Sequence, residues 1–322
     1  MNVQLHQLSY FVAVARTRHF TRAAESVHIA QPSLSKQIRT LELELGTPLF
    51  SRARGNITLT PAGETLLPLA RRILADVDNA RVQVQELVGL ARGRLRLGGT
   101  PSLSTVLLPG ALRSFRDGYP GIELLVEESG SRDLVRLLAH GELDLAIIIL
   151  PLHTRDPALA TTPILREPLV VAATAEGSLV RAKSLRVRDL ERYPLVMFRE
   201  GYDLRDATLA ACRRARIDPR FAVEGGEMDA VLRFVEAGLG VAVVPSMVLE
   251  DRPGLRRIPF APPGLARTIA LAHRRDVDLP GSARAFRPML LEHLAHAARS
   301  GALPTGVKIV GKWGTALREK PG

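Results

Sequence analysis

RTRHFTRAAESVHIAQPSLSKQIRTLELELGTPLFSRARGNITLTPAG, residues 16–63, decides how the rest of the chain is read. Thr21 is a suitable N-cap for a helix through Ala23, Ala24 and Val27. Gln31-Pro32 ends that helix, because proline lacks an amide donor and restricts the residue before it. A further helix is expected to start near Ser33, run through Leu34, Ile38, Leu41 and Leu45, and stop at Gly46, which suits the left-handed position past a helix end. Residues 49–60 read as two short strands around Arg54-Gly55-Asn56, a wing-like hairpin. Upstream, Leu5, Leu8, Phe11 and Val12 recur at near-helical steps and predict a first helix with one buried stripe.

With the apolar residues turned inward, the later helix keeps an outward face of Gln31, Ser33, Ser35, Lys36 and Arg39. A DNA major groove accepts such a helix, with its first residues at the base edges: Gln reads adenine, and Lys reaches guanine or phosphate. Pro32 presets the backbone for the helix start. Arg52 and Arg54 on the hairpin are placed to neutralise phosphates or enter the adjacent minor groove. The same spacing also suits a plain three-helix unit with a solvated polar face.

From Pro61 to about Arg92 the pattern changes. Leu66, Leu69, Ile73, Val77, Val84, Leu87 and Val88 recur at three- and four-residue steps among Arg, Asp, Gln and Glu. A long helix with one apolar seam predicts a coiled-coil-like contact with a second copy; the alternative is a core helix. From Gly93 onward short apolar strands alternate with amphipathic helices: Leu95–Gly98, Ile122–Val126 and Leu143–Leu150, then Leu169–Ala173, Leu195–Phe198, Ala222–Glu224 and Val241–Val244. That alternation predicts a parallel-type α/β sheet. A final strand, Arg267–Ala272, precedes a helix near Ala285–Ala298. The chain crosses near 163–168 and 262–268, which makes two lobes with a cleft.

Composition is consistent with this organisation. A chain of 322 residues with 46% hydrophobic and 24% charged residues suits two or three globular domains. The net charge of +11 suits nucleic acid, an anionic surface or nothing beyond solubility. The single cysteine, Cys212, excludes an internal disulfide and fits a reducing compartment. The start of the chain lacks the pattern of an export signal. The most apolar window, LDLAIIILPL at 143–152, is far shorter than the ~20 residues a spanning helix needs. A cytoplasmic location is expected.

The run FTRAAESVHIAQPSLSKQIRTLELELGTPLFSR, followed by ITLTPAG, resembles the winged helix-turn-helix of LysR-type transcriptional regulators. VEAGLGVAVVP at Val235–Pro245 resembles a recurring segment of that family's effector domain, and the likeness covers about residues 3–298. It implies an α/β chain with an N-terminal winged helix-turn-helix (1–61), a linker and dimerisation helix (62–92) and a two-lobed, periplasmic-binding-protein-like effector domain (93–299). The lobes would be 93–165 plus 267–299, and 166–266. Residues 300–322, with five glycines and several lysines and arginines, read from composition as a flexible tail, the alternative being a short strand at Val307–Val310. The likeness implies Gln31, Pro32, Ser35 and Lys36 as DNA contacts and Arg52 as a phosphate contact. Implied partners are promoter or operator DNA, a small-molecule effector and further copies in a homodimer or homotetramer, with no membrane, metal or cofactor.

The expected effector site lies beyond the carboxyl ends of the strands, where open α/β sheets bind ligands. Thr100 and Ser102 follow the first strand, Ser129 and Ser131 the second, and Arg199 and Glu227 sit at the corresponding ends in the second lobe. Arg199 can clamp a carboxylate with two hydrogen bonds. Thr100, Ser102, Ser131, Arg199 and Glu227 are therefore the expected effector contacts, and the anion is the expected chemistry. Each hydroxyl can instead cap a helix, and Arg199 can pair with Glu200 or Asp203. The segment from Gly201 to Cys212 resembles the redox segment of the family's peroxide-sensing branch, with Cys212 at its second cysteine. Asp203 occupies the first, so no thiolate starts a disulfide switch there. A solute-binding protein or an enzyme using the cleft are the rival readings. Neither a Gly-x-Ser-x-Gly elbow nor a phosphate-cradling loop is present.

Overall fold

The computed structural model describes residues 3–51, 56–86, 93–152, 157–176, 179 and 181–311. Close contacts divide the chain into two units, residues 1–89 with 137–143 and residues 90–136 with 144–322.

The first unit is built from helices α1 (Leu5–Thr17), α2 (Phe20–Ser26) and α3 (Gln31–Leu45), the hairpin strands β1 (Phe50–Ser51) and β2 (Thr58–Leu59), and the long helix α4 (Pro61–Glu86). Helix α2 begins two residues before the Arg22 start that a Thr21 cap implies. His19 is the cap, its Nδ1 accepting from the Arg22 amide at 3.4 Å. Helix α3 begins at Gln31, with Ala30 as N-cap. Pro32 therefore lies inside its first turn, where no amide partner is lost, and Gly46 ends the helix at φ 70°. Phe11, Val14, Ala23, Leu34, Ile38 and Leu41 are buried together, and Phe11 meets Phe50 of β1 at a centroid distance of 5.3 Å.

Helix α4 does not carry the single seam expected of it. Ala70 is fully buried, and Leu66 and Leu74 pack against the same core as α1. Leu69, Ile73 and Val84 remain exposed on the helix. The seam is thus two stripes, one spent on the first unit and one outward. Leu87 and Val88 lie outside the described residues.

In the second unit, β3 (Gly93–Gly99) pairs in parallel with β4 (Ile122–Glu128) and β5 (Leu145–Leu150). Helices α5 (Pro101–Val106), α6 (Leu108–Gly118) and α7 (Ser131–Ala139) connect them. The 16-residue strand β6 (Leu159–Thr174) then crosses into the second lobe. That lobe contains β7 (Leu195–Met197), α8 (Asp203–Ala215), β8 (Phe221–Glu224), α9 (Met228–Glu236), β9 (Ala242–Pro245) and β10 (Leu255–Pro259). Strand β11 (Leu265–Arg274) returns, and α10 (Gly281–Arg299) covers the first lobe.

The main sheet has the order β10-β6-β11-β5-β3-β4, with β9 also on β6. It is mixed, which corrects the expected parallel sheet. Strands β3, β4 and β5 grow by helical crossovers and so run parallel. Strand β11 brings the chain home and pairs antiparallel with both β5 and β6. Two apolar cores result. Leu97, Phe115, Ile147, Leu165, Ile269 and Phe286 fill one; Val171, Leu190, Phe198, Val231, Val244 and Ile258 fill the other.

The expected flexible tail is corrected over residues 300–311. Strand β12 (Lys308–Ile309) pairs with β6 at Arg166 and Leu165. Val307 is buried, and the Thr305 amide donates to Glu250 Oε1 at 2.8 Å. Apolar Val307 and Ile309 alternate with Lys308, a strand pattern that outweighs the surrounding glycines. Residues 312–322 lie outside the described part. Among the described residues no helix is long and apolar enough to cross a membrane.

Candidate functional site

Two places gather functional chemistry, the first turns of α3 and the space between the two lobes. Helix α3 turns Leu34, Ile38 and Leu41 inward. Gln31, Pro32, Ser33, Lys36 and Arg39 are exposed, and Ser35 is half-buried among them. Gln31 Nε2 donates to Ser35 Oγ at 2.9 Å, which holds the glutamine along the helix surface. His28, at φ 55°, makes the turn from α2. The hairpin is bound to the same helix: Glu42 Oε1 accepts from the Leu49 amide at 2.8 Å and the Phe50 amide at 3.3 Å. Thr60 bridges Pro48 O at 2.7 Å and the Gly63 amide at 3.1 Å. Arg52 and Arg54, expected on the wing, lie outside the described residues. The face is therefore a cationic helix start fixed on both sides.

Between the lobes, four of the expected residues have partners that their spacing did not reveal. Ser131 Oγ donates to Asp203 Oδ2 at 2.7 Å and accepts from the Ile149 amide at 3.0 Å. The Ser131 amide donates to the same carboxylate at 3.2 Å. Asp203, at the start of α8, thus caps α7 across the cleft. Ser102 Oγ accepts from Arg267 Nη2 at 2.9 Å. Arg199 does not pair with the side chain of Glu200 or with Asp203. Its Nε and Nη2 meet Glu227 Oε1 at 2.9 and 2.8 Å. The two residues expected to hold a ligand hold each other, so Arg199 is not an open carboxylate clamp in this arrangement.

Thr100 does not take the alternative role of a helix cap. It precedes α5 without a side-chain cap bond, and its Oγ1 is buried with no hydrogen-bond partner among the described residues. The Tyr202 hydroxyl is also buried and unpartnered. Burial pushes the Tyr202 phenol well above its ordinary value, against the pull of Arg267, with Glu227, Glu128 and Asp203 adding to the rise. Thr100, Ser102, Tyr202, Asp203 and Arg267 border a cavity of about 10 Å³, room for about one water molecule. Arg199 and Glu227 do not border it. Next to it opens a cavity of about 610 Å³, walled by α7, the end of β5, α8 and the crossing strands.

Arg267, Glu167 and Tyr202 were not singled out from the sequence. Arg267 Nε and Nη2 reach Glu167 Oε2 at 2.8 and 2.7 Å, and both side chains are buried. The available signal was a charge inside each apolar strand, in ILREPLVV and GLARTIALA. Buried charges of this kind demand a partner.

Cys212 is buried on α8, packed in the second core. Burial pushes its thiol above the ordinary value, against the pull of Arg213. It is therefore protonated at neutral pH, when thiolate is the reactive form. Wild type and Cys212→Ser are expected to bind DNA equally, with or without peroxide. Gel-shift titration checks this, and a peroxide response lost in Cys212→Ser overturns it.

Residues 5–64 match the "Bacterial regulatory helix-turn-helix protein, lysR family" domain, and residues 89–295 the "LysR substrate binding domain". The transcriptional dual regulator GltC of Bacillus subtilis is 30% identical, over 90% of this chain and 97% of its own. The DNA-binding transcriptional dual regulator OxyR of Escherichia coli is 31% identical, over 92% of this chain and 95% of its own. Among solved structures, a full-length OxyR of Pseudomonas aeruginosa, with an aspartate replacing a cysteine, superposes with a TM-score of 0.69 at 30% identity. It covers 91% of this chain and 94% of that one. Full-length CbnR in complex with its target DNA gives 0.67 at 25% identity, covering 92% and 100%.

Proposed function

From the premise that the chain belongs to the LysR family of transcriptional regulators, we propose how its own residues do the work. Residues 1–61 read duplex DNA, 62–92 join two copies, and 93–299 bind a small molecule between lobes 93–165 plus 267–299 and 166–266. Gln31, Ser33 and Ser35 address base edges. Lys36 addresses guanine or phosphate, and Arg39, Arg52 and Arg54 address the backbone. Pro32 sets where the helix starts. A homodimer or homotetramer presents two such helices to dyad-related half-sites. The outward stripe of Leu69, Ile73 and Val84 supports the pairing. The protein acts by binding rather than turnover, in the cytoplasm where promoter DNA is. In support, the cleft hydroxyls of Ser102 and Ser131 are engaged by Arg267 and Asp203, not by an imidazole base.

The observation that carries this reading is the exposed polar start of α3, with Lys36 and Arg39 outward and no ion pair on either among the described residues. Sites are to be selected from a random duplex pool and footprinted. Lys36→Ala is then expected to weaken binding to the selected site and to reduce the salt slope by about one. Gln31 or Ser35 substitutions are expected to change base preference by roughly 1–3 kcal/mol. Equal affinity and slope for wild type and Lys36→Ala would reject the assigned face. A ligand can change the spacing of the readers only by binding two lobe arrangements unequally.

A further inference from the structure

The 610 Å³ cavity is of the size that takes a small organic ligand. Its longest wall is α8, which presents one stripe: Asp203, Ala207, Ala210 and then Arg213 and Arg214. At 1.5 Å per residue this stripe runs about 15 Å from acid end to basic end. The middle is apolar. Ala207 and Ala210 are small, and they share the cavity with Val135, Ile149, Leu169 and Leu265.

The two ends differ in charge. At the first, Asp203 is held by Ser131, and Arg132 follows Ser131 on α7. At the second, Arg213 and Arg214 are exposed, with no hydrogen bond or ion pair on either guanidinium among the described residues. Arg267 is neutralised by Glu167, so the lining carries three further arginines against two aspartates. The end of α8 itself bears partial negative charge, worth a fraction of what two guanidinium groups contribute toward an anion.

We propose that the cavity takes an amphipathic carboxylate, its apolar body along the alanine stripe of α8 and its carboxylate at Arg213 and Arg214. This rests on the reading of the interlobe space as the effector cleft, and gives that effector a chemical class. It also moves the anion-binding cation from Arg199, closed by Glu227, to the far end of α8.

Decanoate is the probe, with decanol as its neutral counterpart and acetate as an anion without a body. Calorimetric titration of the full chain is expected to show decanoate binding at least tenfold tighter than decanol, and no heat from acetate. The Arg213→Gln/Arg214→Gln double variant is expected to lose that tenfold preference while binding decanol as before. Ala210→Phe, which fills the apolar middle, is expected to lose both ligands; Ala207→Leu serves where the phenylalanine variant does not fold. Equal binding of decanoate and decanol, or of decanoate to wild type and the double variant, overturns the carboxylate class and leaves the cleft reading standing. Decanoate binding that survives both Ala210→Phe and Ala207→Leu overturns the cavity as the site. No decanoate binding to the wild type overturns the inference as a whole. The regulator reading is tested separately, through Lys36 and the selected DNA.

Discussion

Glu167→Ala is expected to lower the unfolding free energy of the second unit by about 3–5 kcal/mol, the cost of leaving one partner of a buried ion pair alone. Glu167 is fully buried and Arg267 nearly so. They stand directly opposite each other on the antiparallel strands β6 and β11, where both strands pass between the lobes. Glu167 Oε1 also accepts from the Met247 amide at 2.8 Å, and Arg267 donates onward to Ser102. Removing the carboxylate strands a guanidinium and an amide together. The charge itself is not the source of stability, because the pair has been taken out of water. The Glu167→Leu/Arg267→Met double variant is therefore expected to recover most of the loss. Urea unfolding followed by circular dichroism gives the size of the effect, and hydrogen exchange at β6 and β11 gives its place. A single variant as stable as wild type would show that water or a rearranged partner satisfies Arg267. A double variant no better than the single would show that the packing there, not the lone charge, sets the cost.

How far the sequence could be read follows from the range of the interactions involved. Helices α1 to α3 were legible because their signals are local: apolar steps of three and four, a proline near a helix start, a glycine past its end. The outward face of α3 was legible for the same reason, since fixing Leu34, Ile38 and Leu41 inward fixes Lys36 and Arg39 outward. The start of α2 was misplaced because an imidazole, not the threonine hydroxyl, caps it. The lobes were legible as alternation, but the sense of their strands was not. Whether β11 runs with or against β5 depends on where β6 leaves the first lobe, a relation across more than 100 residues of chain. The partners of the cleft residues were hidden for a related reason. Position at a strand end identified Ser102, Ser131 and Arg199, but not that Arg267, Asp203 and Glu227 occupy them. Spacing places a polar group near a site; only the fold says which partner reaches it first.

The same distinction sets the second large effect. Phe11→Ala is expected to destabilise the first unit by about 3–5 kcal/mol, as large aromatic deletions in a core do. Phe11 is fully buried, its ring against Phe50 at the base of the hairpin, and Phe20 stands 6.0 Å from Phe50. Phe50 thus links α1, through Phe11, with the start of α2, through Phe20, and Phe11→Ala removes the α1 side of that brace. A unit of this size buries a small core and has little stability to spare. The loss therefore removes the fixed angle of α3, although Phe11 lies on no outward face. DNA binding is expected to vanish at temperatures where the effector unit still melts as in wild type, read as amide protection retained in β3 and β5. Lys36→Ala is the contrasting case, with weakened binding at unchanged melting. If Phe11→Ala kept both the melting profile of the first unit and its DNA affinity, the aromatic brace would not be what orients the reader. If Lys36→Ala lowered the melting temperature as much as Phe11→Ala, the lysine would belong to the fold rather than to the DNA.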